Sequence, residues 1–245
     1  MAELEYKDFK KRFIYYFDIY NIEYREKIIR DFYDFTKYLL SENAKYNLTS
    51  IIKTDEIIVK HYIDSIMPLK YFEIPENAKI IDIGTGAGFP ALPLSIMRND
   101  LKITFLDSSA KKINFIKNAP LTKNNFIFYC ARAEELGKNI NVRETYNFAV
   151  SRAVANFNIL CELAAPFINP GEYFISYKSV KASNEIDETK NALKTLGLKI
   201  TDIKEFELKI NNETEIKRII IKTQKLEKTN PKYPRKFADI IKNPL

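Results

Sequence analysis

Three of the chain's six glycines fall within five residues, in Asp82-Ile83-Gly84-Thr85-Gly86-Ala87-Gly88-Phe89-Pro90. Glycine tolerates positive φ and leaves the backbone open where a Cβ would obstruct a ligand. A glycine turn between a strand and a helix brings backbone N–H groups and a helix start to face a nucleotide. Two carboxylates frame this turn: Asp82 just before it, and Asp107 in Leu106-Asp107-Ser108. The arrangement predicts a site for a nucleotide-like cofactor over Gly84–Phe89.

The flanking residues predict the elements that hold it. Lys79–Ile83 is short and β-branched, as a buried parallel strand is, and Ala91, Leu92, Leu94, Ile96 and Met97 read as a helix. Further strands are expected at 102–106, 125–130, 147–150, 173–177, 200–208 and 217–222. Helices fit between them at about 91–98, 110–119, 156–166 and 184–196, the last capped by Gly197. This alternation predicts an α/β, Rossmann-like fold with a seven-stranded, mostly parallel sheet. The polar Asn211-Asn212-Glu213 segment between the last two strands suggests a closing hairpin.

Residues 1–75 read as a helical region packed on the catalytic domain, 76–228. Phe9, Phe13 and Phe17 form one stripe; Ile28, Phe32, Phe35 and Leu39 form another. These aromatics read as core rather than as base-stacking platforms. Thr54 before Asp55 and Glu56 predicts an N-cap for a helix running towards Met67, closed by Pro68 and Pro75. Residues 229–245, rich in Pro and Lys, read as a basic, extended or mobile tail.

The chain has 245 residues, 46% of them hydrophobic, enough for one large core. No apolar run approaches the roughly 20 residues of a membrane span, and Met1-Ala2-Glu3-Leu4-Glu5 does not read as a signal peptide. Cys130 and Cys161 make neither a disulfide framework nor a four-ligand zinc site; both are expected as buried thiols in a reducing cytoplasm. The net charge of +7 points towards a polyanion, or to coding bias in a Lys-rich chain. Neither a metal nor a dimer is expected.

Spacing narrows the cofactor. A dinucleotide turn is G-x-G-x-x-G, but here Phe89 stands where the third glycine would fall. The tighter G-x-G-x-G turn is similar to motif I of the S-adenosylmethionine methyltransferases. Asp82 suits a cationic sulfonium and amino group better than a pyrophosphate. Asp107 is placed to accept bonds from ribose hydroxyls, or else to be a helix N-cap before Ser109-Ala110-Lys111. Arg132-Ala133-Glu134-Glu135, after the third strand, is placed to meet the adenine.

The fourth strand ends in Ser151-Arg152-Ala153, where the methyl acceptor is expected. The Asp/Asn-Pro-Pro-Tyr box for exocyclic amines and the Pro-Cys dipeptide of cytosine C5 chemistry are both absent there. Read in order, Asn47-Leu48-Thr49, His61-x-x-Asp64-Ser65, the glycine turn, Leu106-Asp107-Ser108, Arg132-Ala133-Glu134-Glu135 and Ser151-Arg152-Ala153 resemble the RsmG (GidB) family over nearly the whole chain. Tyr233-Pro234-Arg235-Lys236 is similar to the basic tail of its Gram-positive members. Ala91-Leu92 replaces a common Gly-Ile, and Ser179 replaces the glycine usual after Lys178.

The resemblance implies methylation of N7 at guanine 527 of 16S rRNA, within the 30S subunit. N7 already carries a lone pair, so the expected chemistry is in-line transfer governed by orientation and electrostatics, without a general base. Asp82, Gly84, Gly86, Gly88, Phe89, Asp107, Ser108, Ser109, Ala133, Glu134 and Arg152 are the expected cofactor contacts. Arg152 is assigned to the pocket, with a salt bridge to Glu134 or Asp107 as its competing role. Lys178, expected beyond the fifth strand, is the second acceptor-side candidate, for RNA or base. His61 is expected in the wall of the site, with Asn47 and Thr49 holding its helix. A non-RNA acceptor on the same fold, and a non-catalytic assembly factor that keeps the cofactor pocket, stay open.

Overall fold

The computed structural model describes residues 4–121, 125–180, 183–211 and 214–245. Met1 to Glu3, and Asn212-Glu213 of the expected hairpin turn, lie outside the described residues. The chain begins with α1 (Tyr6–Ile19) and α2 (Glu26–Tyr46). The next helical run starts as α3 (Thr54–Glu56), widens to a π-helix at Ile57–Ile63 and returns to α geometry in α4 (Asp64–Ile66). Lys53, not Thr54, is its N-cap. Pro68 opens the short α5 (Pro68–Tyr71) rather than closing a helix, because proline's missing N–H is harmless in a first turn.

The sheet then builds by alternation: β1 (Lys79–Ile83), α6 (Ala91–Met97), β2 (Lys102–Asp107), α7 (Ala110–Lys117), β3 (Ile127–Cys130), α8 (Ala133–Leu136) and β4 (Tyr146–Arg152). After α9 (Phe157–Ala164) comes the long β5 (Ile168–Ser179). Two helices, α10 (Ser183–Glu188) and α11 (Lys190–Thr195), stand where one was expected, and Gly197 follows with φ +63°. The chain finishes with β6 (Leu198–Ile210), β7 (Thr214–Lys225) and α12 (Phe237–Lys242).

Among the described residues the strands form one seven-stranded sheet in the order β3-β2-β1-β4-β5-β7-β6. The first five are parallel; β7 runs antiparallel between β5 and β6. The order reverses direction between β1 and β4, and at such a switch point a crevice opens beyond the strands' carboxyl ends. Alternation along β1 sends Ile80 to one face and Ile81 and Ile83 to the other. The first face carries the N-terminal helices: Phe9, Phe13, Phe17, Phe32 and Phe35 share one continuous core with Ile80, Phe148 and Ile220. The helices α1 and α2 therefore bury their aromatic stripes in the core on this face of the sheet.

The C-terminal segment differs from expectation. It is folded back on the second face, with Tyr233 and Ile240 buried. Arg143 donates to the carbonyls of Thr229, Asn230 and Tyr233. Arg235 grips Glu162, which is only 1% exposed, with three bonds of 2.6–3.2 Å. Lys225, its ammonium pushed down to about 8 by burial, bonds Ala165 O, Thr229 Oγ1 and Glu144. A Pro/Lys composition reads as mobile only until a buried carboxylate, here Glu162, claims one of its cations, Arg235. Deleting residues 229–245 should thus lower the melting temperature by about 10 °C or more, since a buried charge stripped of its partner costs about 3–5 kcal/mol. Calorimetry of the shortened chain checks this; an unchanged melting temperature would restore the mobile tail.

Candidate active site

β1 delivers Asp82 and the glycine turn to the crevice. Asp82 is fully buried: its Oδ2 accepts from Thr85 Oγ1 (2.7 Å) and Ala91 N (3.2 Å), tying the turn to the start of α6. Its Oδ1 has no hydrogen-bond partner among the described residues. Burial pushes this carboxyl up to about 7, against the pull of those two bonds and of Arg152. Gly84, Gly86 and Gly88 all have positive φ. At Gly84 (φ +70°) a Cβ would also stand 2.6 Å from Val154 Cγ2, so the turn fits closely under the residues after β4.

β2 delivers Asp107, 7% exposed. Its Oδ2 accepts from Gly86 N (3.0 Å), its Oδ1 from Ser109 N (2.9 Å), and Lys112 Nζ stands 3.6 Å away. One carboxylate thus holds the turn and the start of α7 together, and Ser109 is that helix's N-cap. Asp107 is therefore not the N-cap weighed for it; its Oδ1 accepts from the N–H two residues on, an Asx-type turn just ahead of the helix. Ser108 is exposed, and its carbonyl accepts from the Cys130 thiol at 3.8 Å. Cys130 is exposed, not buried as expected, because it ends the edge strand β3; Cys161 is buried. Ala133 and Glu134, both half-buried, open α8 just after β3. The expected cofactor residues therefore line up along the carboxyl ends of β1, β2, β3 and β4.

Phe89 belongs to that set by sequence, but its ring is turned into the helical layer. It stacks on His61 (centroids 4.3 Å, planes 13° apart) and meets Phe35 at 5.9 Å. The Arg152 guanidinium lies 5.1 Å from the centre of the Phe89 ring. Arg152 is heavily engaged: Nη1 donates to Asp64 Oδ2 (2.9 Å) and Lys60 O (3.0 Å), and Nη2 to His61 Nδ1 (3.2 Å). Its salt-bridge partner is Asp64, on the helical layer, and not Glu134 or Asp107.

His61 is set by this network. Receiving a bond at Nδ1, the ring carries its proton on Nε2 and donates to Thr49 Oγ1 at 3.0 Å. Burial first, then the Arg152 and Lys60 charges, push it down to about 3, so it is neutral across the physiological range. Asn47 is the left-handed C-cap of α2, and Asn43 pins Thr49 with bonds at 2.8 and 3.0 Å. Thr49 thus holds the His61 helix as expected, whereas Asn47 caps α2 instead.

A cleft of about 410 Å³ opens beside this cluster, lined by Ile51, Lys60, Asp64, Arg152, Lys178 and Arg218 among others. Lys178 lies within β5 rather than beyond it, and its Nζ is committed to Ala155 O (2.6 Å) and Glu185 (2.7 Å). Arg218 is the residue sequence reasoning missed. Antiparallel pairing sets it opposite Ser179, and its only ion pair among the described residues is a 3.5 Å approach to Asp64 Oδ1, without a hydrogen bond. In sequence it is one cation among 39, and only the β5–β7 register brings it to the cleft. A larger cleft, about 840 Å³, opens near the amino ends of β1 and β2, between residues 21–31 and 96–100, away from these groups.

The profile of the GidB family, rRNA small subunit methyltransferase G, matches residues 28–216. The chain belongs to the GidB family. It is 41% identical over 216 residues to ribosomal RNA small subunit methyltransferase G of Clostridium beijerinckii, covering 87% of this chain and 89% of that protein. The same-named protein of Clostridium botulinum strain Kyoto is 39% identical over 227 residues, covering 92% and 94%. Among solved structures, TYW2 of M. jannaschii, in complex with AdoMet, aligns at TM-score 0.50 and 14% identity, covering 66% of this chain and 77% of that one. A precorrin-6y C5,15-methyltransferase of Geobacter metallireducens also aligns at 0.50, with 12% identity, covering 66% and 88%. These two likenesses concern the fold. As a GidB member with this fold, the chain is an S-adenosylmethionine-dependent methyltransferase of the Rossmann-like class. The family match contains the glycine turn, Asp107, Arg152 and Lys178; Arg218 lies two positions beyond its end.

Proposed function

We propose that this chain methylates N7 of guanine 527 in 16S rRNA, using the turn at Gly84–Phe89 for the cofactor and the Arg152–Arg218 cleft for the acceptor. The observation that carries the reading is the adjacency of two unlike sites. A carboxylate-framed glycine turn meets a cleft walled by Lys60, Arg152 and Arg218 around one buried carboxylate, Asp64. The first suits a cationic ligand with a ribose, and the second has cationic surplus for a polyanion. Curated relatives named for the small-subunit rRNA support the same substrate class.

The residues of the turn fit S-adenosylmethionine. Asp82 Oδ1 is a buried acceptor lacking a donor, as a cationic ligand group requires. Asp107 keeps acceptor capacity beyond its two backbone bonds, and Ser108, Ser109, Ala133 and Glu134 line the same edge. When bound, that cofactor supplies an electrophilic methyl on sulfonium. The protein's own part is orientation and charge. His61 is neutral, with Nδ1 accepting from Arg152 and Nε2–H donating to Thr49, so neither ring nitrogen is free to act as a base, and N7 of guanine asks for none. Arg152 spends its donors on Asp64, Lys60 and His61, so it shapes the wall, while Arg218 offers the freer guanidinium to O6 or a phosphate. Lys178, bound to Glu185 and Ala155 O, holds the β5 end against α9 and α10.

The test is genetic. Deleting the gene should remove the methyl mark at guanine 527, mapped by mass spectrometry of 16S rRNA, and re-expression should restore it. A mark that survives deletion would sink the proposal.

A further inference from the structure

Most aromatic side chains of the N-terminal region are core, but Tyr46 is not. It ends α2 with 41% of its surface exposed, and Lys111 Nζ lies 4.9 Å from the centre of its ring. The pairing follows from two antiparallel helices. Tyr38 stacks on Phe115 and bonds its carbonyl, so two turns later along α2, Tyr46 meets the first turn of α7. That turn follows Asp107, and Tyr46 therefore sits at the sheet edge that carries the glycine turn. In the other direction the chain from Tyr46 runs to the acceptor cleft, which it reaches at Ile51. Asn47 turns it, Thr49 bonds His61, Ile51 lines the cleft, and Ile52 is 47% exposed beside the exposed Lys53.

An exposed ring with a cation at its face beside the start of α7, and an exposed apolar side chain and a further lysine directly after the cleft-lining Ile51, form a poor surface for a protein's acidic helix. They form a good one for single-stranded RNA. Bases stack on aromatic rings in any sequence, and lysines meet the phosphates between them. We infer that Tyr46 and Lys111, with Ile52 and Lys53, form a shelf on which a base flanking the target guanine stacks while the guanine enters the cleft. This rests on the rRNA reading of the acceptor cleft. It adds a site on the helical region that holds the neighbouring nucleotide unstacked.

The experiment measures kcat and KM for methyl transfer to 30S subunits lacking the mark, and to a naked rRNA fragment, with S-adenosylmethionine affinity measured in parallel. Tyr46→Ala should raise KM for both RNAs about tenfold, the weight of one lost stacking contact. It should leave kcat and cofactor affinity within about twofold, a margin too small for a lost stacking contact. Tyr46→Phe should retain wild-type KM, and Lys111→Ala should shallow the salt dependence of RNA binding by about one ion. An unchanged KM in Tyr46→Ala overturns the shelf, as does equal loss in Tyr46→Phe. A KM rise on 30S subunits alone would give the surface to a ribosomal protein and overturn it too. A wild-type protein inert on both RNAs would instead overturn the rRNA reading itself.

Discussion

Asp107→Ala is expected to weaken S-adenosylmethionine binding by about two to four orders of magnitude. The carboxylate accepts from Gly86 N and Ser109 N and keeps lone pairs for two ribose hydroxyls. A hydrogen bond to a charged group contributes about 1.5–3 kcal/mol, and two of them span that range. Alanine also frees Gly86, so the turn loses the bond that sets it against β2. Asp107→Asn keeps the shape but replaces one acceptor by a donor, and should fall between the two. Isothermal titration with S-adenosylmethionine reads the outcome. Wild-type affinity in the alanine variant would remove Asp107 from the ribose role.

The second large effect concerns Asp64, only 1% exposed, which stands between two guanidiniums. Asp64→Ala leaves Arg152 buried in the site with its principal countercharge gone and Arg218 facing a like charge. Breaking a buried pair in this way costs about 3–5 kcal/mol. For a chain of this length that corresponds to a fall of about 10 °C in melting temperature. The Arg152–His61–Phe89 stack also loses its anchor, and misplacement of a site wall by an ångström reduces turnover about a hundredfold. Thermal melts and methyl-transfer rates on 30S subunits measure the two effects separately. A variant that melts normally and turns over normally would show that Asp64 positions nothing.

Local chemistry makes much of this legible from the amino-acid sequence. Lys79–Ile83 is a strand with the boundaries its β-branched run suggests, because Ile80, Ile81 and Ile83 fill both faces of a buried parallel strand and the glycine turn ends it at Gly84. The glycine turn, Asp82 and Asp107 come together because all three are fixed by short-range geometry at the ends of adjacent strands. What stays hidden depends on long-range pairing. Arg218 reaches the cleft through the β5–β7 register, and Arg235 reaches Glu162 across 73 positions. Asp64 is visible as a motif residue, but its partnership with Arg152 joins the helical layer to β4 and has no sequence period. Phe89 reads as a cofactor contact from its place after the turn, whereas its ring is claimed by His61 and Phe35 on the opposite layer.

The most direct test of the central claim is transfer of a labelled methyl group from S-adenosylmethionine by the purified protein. Unmarked 30S subunits and naked 16S rRNA serve as acceptors, and the modified base is mapped by nuclease digestion and mass spectrometry. The expected result is one N7-methylguanine, at position 527. Label on another base, on protein, or on no acceptor despite cofactor binding would contradict it.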